Sequence, residues 1–356
     1  ASLDISTQGR VFPDMDTTNG LASNSVLNVF TWKDIAYIGT YKGVSRFNLS
    51  SGTFMDAWDT GNGLPYNYVF SVFVYNDVVY IGTNGVVSRF NLTTQTFMSE
   101  WGASDGLTAS DVTSIFVYND IVYIGIWEGG GVSRFDLTTQ EFLSKWSMSS
   151  GLANDDIYRS IFGYEDIIYV GTWGGGVSRF NLTAQEFMSE WNKSVGLAYS
   201  KILCVSAYNE TVYIGTDGSG VSRFDLTAQE FMSKWDVSNG LTDNYVMCIF
   251  AYNDIVYIGT QEGGVSRFNL TSQRFMTEWD TDNILPHNYV TSIFVYNDIM
   301  YIGTWGGGVS QYPLIYESIE NPKEMEYPKE ISIDIGSDGV DWYFPDVLTP
   351  FNSPQT

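Results

Sequence analysis

The tetrapeptide Tyr-Ile-Gly-Thr, or a close variant, recurs seven times along the chain, ending at Thr40, Thr83, Ile126, Thr172, Thr216, Thr260 and Thr304. Its glycines, Gly39, Gly82, Gly125, Gly171, Gly215, Gly259 and Gly303, are spaced by 43, 43, 46, 44, 44 and 44 residues. A period of this length marks one supersecondary unit repeated, each copy burying its apolar face against the next. Within each period the same four pieces follow one another. In the sixth they are YVMCIFAY (residues 245–252), IVYIGT (255–260), GVSRFNL (264–270) and QRFMTEW (273–279).

Each piece is short, rich in Val, Ile, Phe and Tyr, and bounded by Asn-Asp, Gly-Gly or Asn-Leu-Thr turns, which is the pattern of strands. No segment carries helical periodicity with caps over ten residues. Four antiparallel strands (a to d) in each of seven units predict an all-β, seven-bladed β-propeller over residues 1–314. Strand d is missing from the last repeat. The N-terminus supplies a substitute, because residues 3–8, LDISTQ, copy residues 135–140, FDLTTQ, and residues 11–15 then fall where a d strand belongs. The ring is therefore expected to close by pairing residues 10–15 with residues 309–314.

The run YIGTWGGGVSRFNL, preceded by Gly-Leu and a Ser-Ile-Phe strand, resembles the propeller repeats in the sensor regions of bacterial two-component regulators, and the likeness spans residues 11–314. In that family the propeller is joined to a membrane span and a kinase, neither of which these residues encode. The resemblance thus implies an extracytoplasmic binding architecture rather than a signalling output.

Charge narrows the partners. Seventeen Lys and Arg against 41 Asp and Glu leave a formal charge of -24. Nucleic-acid binding draws its affinity from clustered cations that this chain lacks, and anionic membranes are disfavoured for the same reason. No run reaches the roughly 20 apolar residues of a membrane-spanning helix, so no membrane insertion is expected. A sequence that starts at Ala1 fits a processed, mature chain, and the location expected is extracellular or at the cell surface.

Six arginines (Arg46, Arg89, Arg134, Arg179, Arg223, Arg267) lie in the VSRF strand, and six tryptophans (Trp58, Trp101, Trp146, Trp191, Trp235, Trp279) end strand d. A residue repeated with the blade does a repeated structural job, here an arginine stacking on an aromatic ring or bonding a neighbouring carboxylate. Cys204 and Cys248 occupy one equivalent position of strand a, filled elsewhere by Ser71, Ser114, Ser160 and Ser292. They are expected to be buried free thiols. Sequons stand at Asn48, Asn91, Asn181, Asn192, Asn209 and Asn269, four of them in the c–d turn. Asp136 and Asp225 replace Asn in that turn, so an Asx side chain bonding its own backbone is needed there with or without a glycan. Glycosylation of at least one sequon is expected.

The a–b and c–d turns barely vary, whereas the b–c and d–a loops do. Antiparallel connectivity gathers the two variable loop types on one rim, which makes Tyr41, Trp127, Trp173, Asp217, Gln261 and Trp305 the candidate binding residues, with the aromatic ones as platforms for glycans or other ligands. Catalysis has little to stand on. His287 is the only histidine and sits in a d–a loop, and the Gly-rich GTWGGG joins two strands, whereas a phosphate loop opens a helix. No enzyme activity and no cofactor is expected, and a polysaccharide lyase is a distant third possibility.

Beyond the ring, residues 315–330 read as a charged, Pro-containing linker and residues 331–356 as a strand-rich tail. Its DIGSDGVDW run is similar to a motif of archaeal surface proteins. Asp334, Asp338 and Asp341 are weak candidate metal ligands at a spacing unlike an EF-hand loop. Because a lone hairpin is marginal in water, the tail is expected to pair with a protein partner or with another copy through residues 315–356. The sequence therefore supports a non-catalytic extracellular or cell-surface propeller acting as a structural or adhesive subunit, of a homopolymeric filament or envelope layer, with a glycan- or ligand-sensing binding domain of the two-component-regulator type as the alternative.

Overall fold

The computed structural model describes residues 12–107 and 111–314. They form a ring of seven antiparallel sheets, a seven-bladed β-propeller. Blade 1 consists of Val26–Trp32 (a), Ile35–Thr40 (b), Gly43–Asn48 (c) and Thr53–Trp58 (d). The a strands of blades 2 to 7 are Ser71–Tyr75, Val112–Tyr118, Ile157–Tyr164, Ile202–Tyr208, Val246–Tyr252 and Val290–Tyr296. Each a strand contacts the a strands of the two adjacent blades, and the first meets the last. The a–b turns are two-residue turns, in five blades with both central residues left-handed, as at Asn76 (φ 47°) and Asp77 (φ 59°), and in blades 1 and 4 with only Lys33 and Glu165 so. That geometry matches the right-handed twist of the flanking strands and suits Asn and Asp.

The cores lie between blades. Trp58 packs on Phe90 of the next blade with ring centroids 4.3 Å apart. Trp101–Phe135, Trp146–Phe180, Trp191–Phe224, Trp235–Phe268 and Trp279–Tyr312 repeat the contact at 4.2 to 4.4 Å.

The arginines have the structural role expected of them. Each guanidinium lies 4.2 to 4.5 Å from the centroid of its own blade's tryptophan. Each also donates to the carbonyl oxygen ten residues on, as Arg89 does to Ser99 O at 2.6 Å. Strand d itself varies. In blades 2, 4, 5 and 6 the regular pairing shrinks to two residues, such as Arg274–Phe275, and resumes only at the tryptophan bridge, Val265 to Trp279. The continuous strand expected over residues 273–279 is thus cut short, whereas blades 1 and 3, whose arginines make the same bond, keep Thr53–Trp58 and Glu141–Trp146.

Blade 7 has three strands of its own, ending with Gly308–Pro313, and Met15 bridges Val309 in the fourth position. Of the expected closing segment, residues 12–15 are described and Met15 pairs as expected. Residues 10 and 11 lie outside the described residues, as do residues 315–356, including Asp334, Asp338 and Asp341.

Candidate functional site

The a strands line the central channel, and their alternation sets channel-facing residues in layers. Farthest from the variable rim are Trp32, Tyr75, Tyr118, Tyr164, Tyr208, Tyr252 and Tyr296, each at the end of its strand. These clasp the a–b turn of the following blade. Trp32 Nε1 donates to Asp77 Oδ1 at 3.3 Å, Tyr75 OH to Asp120 Oδ1 at 2.6 Å and Tyr252 OH to Asp298 Oδ1 at 2.5 Å. Tyr118 OH bonds the Glu165 carbonyl, and Tyr296 reaches Asp34, joining the last blade to the first. Burial, followed by the bonded carboxylate, pushes the Tyr75 and Tyr252 phenols up to about 12. A turn used in this way at every blade interface cannot vary freely, which explains the constancy of Tyr-Asn-Asp.

The middle layer is apolar. Phe30, Phe73, Phe116, Phe162, Phe250 and Phe294 share one register position, each opposite the tyrosine of strand b. Their ring centroids are 4.9 to 5.8 Å apart from blade to blade. The ring of phenylalanines is open only at blade 5, where Ser206 holds the position opposite Tyr213.

Above it, toward the variable rim, lie Asn28, Ser71, Ser114, Ser160, Cys204, Cys248 and Ser292. The preference for a small polar residue has a cause. Ser292 Oγ accepts the Val29 N–H at 3.0 Å, Asn28 Oδ1 accepts Val72 N–H at 3.0 Å and Ser71 Oγ accepts Ile115 N–H at 3.1 Å, each bond joining adjacent blades. Cys204 and Cys248 are free thiols, and Cys204 is buried as expected while Cys248 is only partly so. Burial holds both in the protonated form, with Cys248 pushed up to about 12.

The b–c and d–a loops meet on one rim, as the connectivity requires. Trp173, Asp217, Gln261 and Trp305 donate their backbone N–H to the carbonyls of Asp156, Lys201, Tyr245 and Tyr289 in the neighbouring d–a loops, at 2.9 to 3.1 Å. The candidate aromatic residues are not separate platforms. They are half-buried and gather in two groups. In one, Tyr41 lies 4.1 Å from Tyr68 and 4.8 Å from Trp305, and Trp305 stacks on Tyr289 at 5.5 Å. In the other, Trp127 is 5.4 Å from both Tyr158 and Trp173. Lys201 Nζ sits 4.5 Å over the Trp173 ring and 3.7 Å from Asp217. Gln261 joins neither group. Tyr68, Tyr158 and Tyr289 were not among the sequence candidates, although all three stand in or just after the variable d–a loops.

Blade 4 departs from the repeat at the same height. Its a–b register jumps from Ile157–Thr172 to Ile161–Val170, whereas blade 6 steps from Val246–Thr260 to Cys248–Gly259 and Ile249–Ile258. Blades 1, 3, 5, 6 and 7 carry a one-residue bulge at this place, and in blade 4 one further residue is added, enlarging it to residues 158–160. Arg159 in that bulge has φ 53°, and among the described residues every other left-handed non-glycine lies in a turn or loop.

The remaining candidates hold local structure. At the c–d turn Asn91 Oδ1 accepts the N–H groups of Thr93 and Thr94 at 2.8 and 2.9 Å, and Asp136 does the same for Thr138 and Thr139. Asn48, Asn181 and Asn269 each accept one such N–H. Asn192 caps a single helical turn by accepting Ser194 N–H at 2.9 Å, and Asn209 Nδ2 meets Asp254 Oδ1 at 3.3 Å. His287 Nδ1 accepts Tyr289 N–H at 3.0 Å. Outer grooves between blades, such as one of about 470 Å³ beside Arg134, Trp146 and Phe187, contain the repeated Arg–Trp stack and recur with it.

No protein family and no curated protein matches the chain in sequence. Solved structures do match in shape. The extracellular domain of a hybrid two-component system of B. thetaiotaomicron superposes with a TM-score of 0.69 at 20% identity, over 84% of this chain and 41% of that one. A second two-component extracellular domain from the same organism gives 0.68 at 18% identity, over 86% and 40%. The computationally designed Ika8 protein gives 0.59 at 14% identity, over 81% and 96%. The chain spans about two-fifths of the length of the two bacterial domains. No helix among the described residues is long and apolar enough to cross a membrane. The chain is a seven-bladed β-propeller whose structural neighbours include extracellular domains of two-component systems.

Proposed function

We propose that this chain is an extracytoplasmic, non-catalytic propeller of the sensing kind that binds a small ligand at the mouth of its channel, on the rim formed by the b–c and d–a loops. One observation carries the reading. The two rims are built differently: one repeats a clasp of an aromatic side chain on the next blade's a–b turn, while the other gathers half-buried aromatic residues that differ from blade to blade. The likeness to extracellular domains of two-component systems supports the same reading. Replacing Trp127, Trp173 and Trp305 by Ala tests it. Each truncation should lose on the order of 1 to 3 kcal/mol of binding to the glycan or other ligand that an array selects, with the circular dichroism spectrum unchanged. Undiminished binding in the triple variant would move the site away from this rim.

A second reading, a structural or adhesive subunit joined head to tail into a filament, rests on the alternating pattern of residues 331–335. A chain ending at Leu314 should then stay monomeric while the full chain assembles, and light scattering on both separates the two readings. Glycans on the six sequon asparagines would accompany either reading, and intact-mass measurement before and after deglycosylation detects them.

A further inference from the structure

We propose that the mouth of the channel recognises a ligand bearing one carboxylate on a ring with a flat apolar face. The carboxylate would meet Arg159, and the ring would lie between the Tyr41–Trp305 and Trp127–Trp173 groups. This deepens the reading above and rests on it.

Four observations converge. The bulge that recurs at this height is one residue larger in blade 4 alone among the blades whose pairing shows it, on the strand that lines the channel, and the enlargement holds Arg159 left-handed, a conformation a non-glycine residue adopts inside a strand only when its surroundings impose it. A bulge re-aims a side chain, and here it does so at the level where the aromatic groups meet. Second, no ion pair of Arg159 is found among the described residues, where Lys33–Asp77, Lys201–Asp217 and Lys234–Asp236 do pair, in a chain where acidic groups outnumber basic ones 41 to 17. The six repeat arginines, in contrast, are all stacked on tryptophan and bonded to carbonyls. Third, the charge of Arg159 is felt by the phenols of Tyr41, Tyr68 and Tyr289 and by the thiols of Cys204 and Cys248, which belong to other blades and their loops. A guanidinium turned toward the axis from the enlarged bulge would act on all of them. Fourth, the phenylalanine ring lies below it and gives the basin an apolar floor.

The chemistry follows from the donors. A guanidinium presents a planar fork that matches the two oxygens of a carboxylate. A single fork compensates one charge, and with Asp217 on the same rim and -24 on the whole chain a more highly charged anion would remain unbalanced. The aromatic walls supply stacking surface for a sugar or arene face.

Calorimetric titration of the full chain with digalacturonate, with the neutral galactose disaccharide and with phenylacetate tests the inference. At least one of the two carboxylates should bind about tenfold or more tightly than the neutral sugar, and which one does so identifies the ring as saccharide or arene. Arg159→Leu should abolish that preference without moving the melting temperature, and Arg159→Lys should retain part of it. Equal binding of acidic and neutral sugars, unchanged in Arg159→Leu but lost in Trp127→Ala or Trp305→Ala, would overturn the carboxylate while leaving the rim site standing. Failure of both carboxylates to bind overturns the inference. So does an Arg159→Leu variant that loses melting temperature and the binding of all three probes together, because Arg159 would then be holding the bulge.

Discussion

Met15 and Val309, at opposite ends of the ring, exchange two backbone hydrogen bonds, Met15 N–H to Val309 O at 2.8 Å and Val309 N–H to Met15 O at 2.9 Å. The pair occupies the place that Val87 and Trp101 or Val265 and Trp279 hold in other blades. Met15 is 1% exposed and packs with Val26, Val29 and Ile38 of the first blade. The likeness extends to the arginine. Gln311 Nε2 donates to Pro13 O at 3.0 Å, two residues before Met15, as Arg89 donates to Ser99 O two residues before Trp101.

Removing residues 1–15 deletes the buried methionine, both bonds and the acceptor for Gln311, and leaves blade 7 with an unpaired edge. The loss of one buried side chain of this size costs about 2 to 5 kcal/mol. The melting temperature should therefore fall by about 3 to 8 °C. An unchanged melt would refute closure at this seam.

The Gln311 substitution within the structure predicts what an arginine of the repeat contributes. Arg89→Ala removes both the stack on Trp101 and the bond to Ser99 O, and should cost about 2 kcal/mol in urea unfolding. Arg89→Gln can still donate to that carbonyl and should cost roughly half as much. Equal losses for the two variants would assign the whole effect to the cation over the ring.

The ring of small polar residues makes a contrast within one register position. Ser71 Oγ is the acceptor for the buried Ile115 N–H, so Ser71→Ala should cost about 1 to 3 kcal/mol. Ser160 Oγ is buried without a hydrogen-bond partner among the described residues, and Ser160→Ala should be neutral or slightly stabilising. Comparable destabilisation by both substitutions would mean that packing, rather than the interblade bond, selects serine.

Most of the ring was legible in the sequence because a strand repeated seven times leaves the same signature each time, in the Gly39 to Gly303 series and in the VSRF and Trp positions. The closing role of the N-terminus was legible for the same reason, through the copied LDISTQ. What escaped was whatever depends on register. The 46-residue interval between Gly125 and Gly171 contains the added residue of the Arg159 bulge, yet spacing alone does not say which strand absorbs it. Tyr68 and Tyr289 were visible in their loops, but only the ring brings them beside Tyr41 and Trp305. The shortening of strand d in four blades was hidden because the d segments read alike in sequence, TFMSEW beside TFMDAW.

Burial of ionisable groups fixes how the fold responds to alkali. The phenols of Tyr37, Tyr80, Tyr123, Tyr169 and Tyr213 are pushed up to about 12 by burial, with the nearby arginine of the same blade acting in the opposite sense. The Cys248 thiol reaches about 12 for the same first reason, and Cys204 is raised as well. A group raised in the folded state favours folding fully below its unfolded value, and the unfolded chain gains by losing the proton first as pH climbs. Stability should thus be flat up to about pH 9 and then decline through pH 10 to 12, the window between the ordinary values of these thiols and phenols and their values in the fold. The same protonation predicts the reactivity of the thiols, because the thiolate is the nucleophile. At pH 8 the native chain should react with a disulfide reagent at a rate set by unfolding, and two thiols should appear promptly once denaturant is added. A fast stoichiometric reaction of either cysteine in the native chain, with the melting temperature unaffected, would show that the channel admits the reagent to a deprotonated thiol at the level of Ser71 and Ser292, and would place an open path beside Ser206 where the ring of phenylalanines is broken.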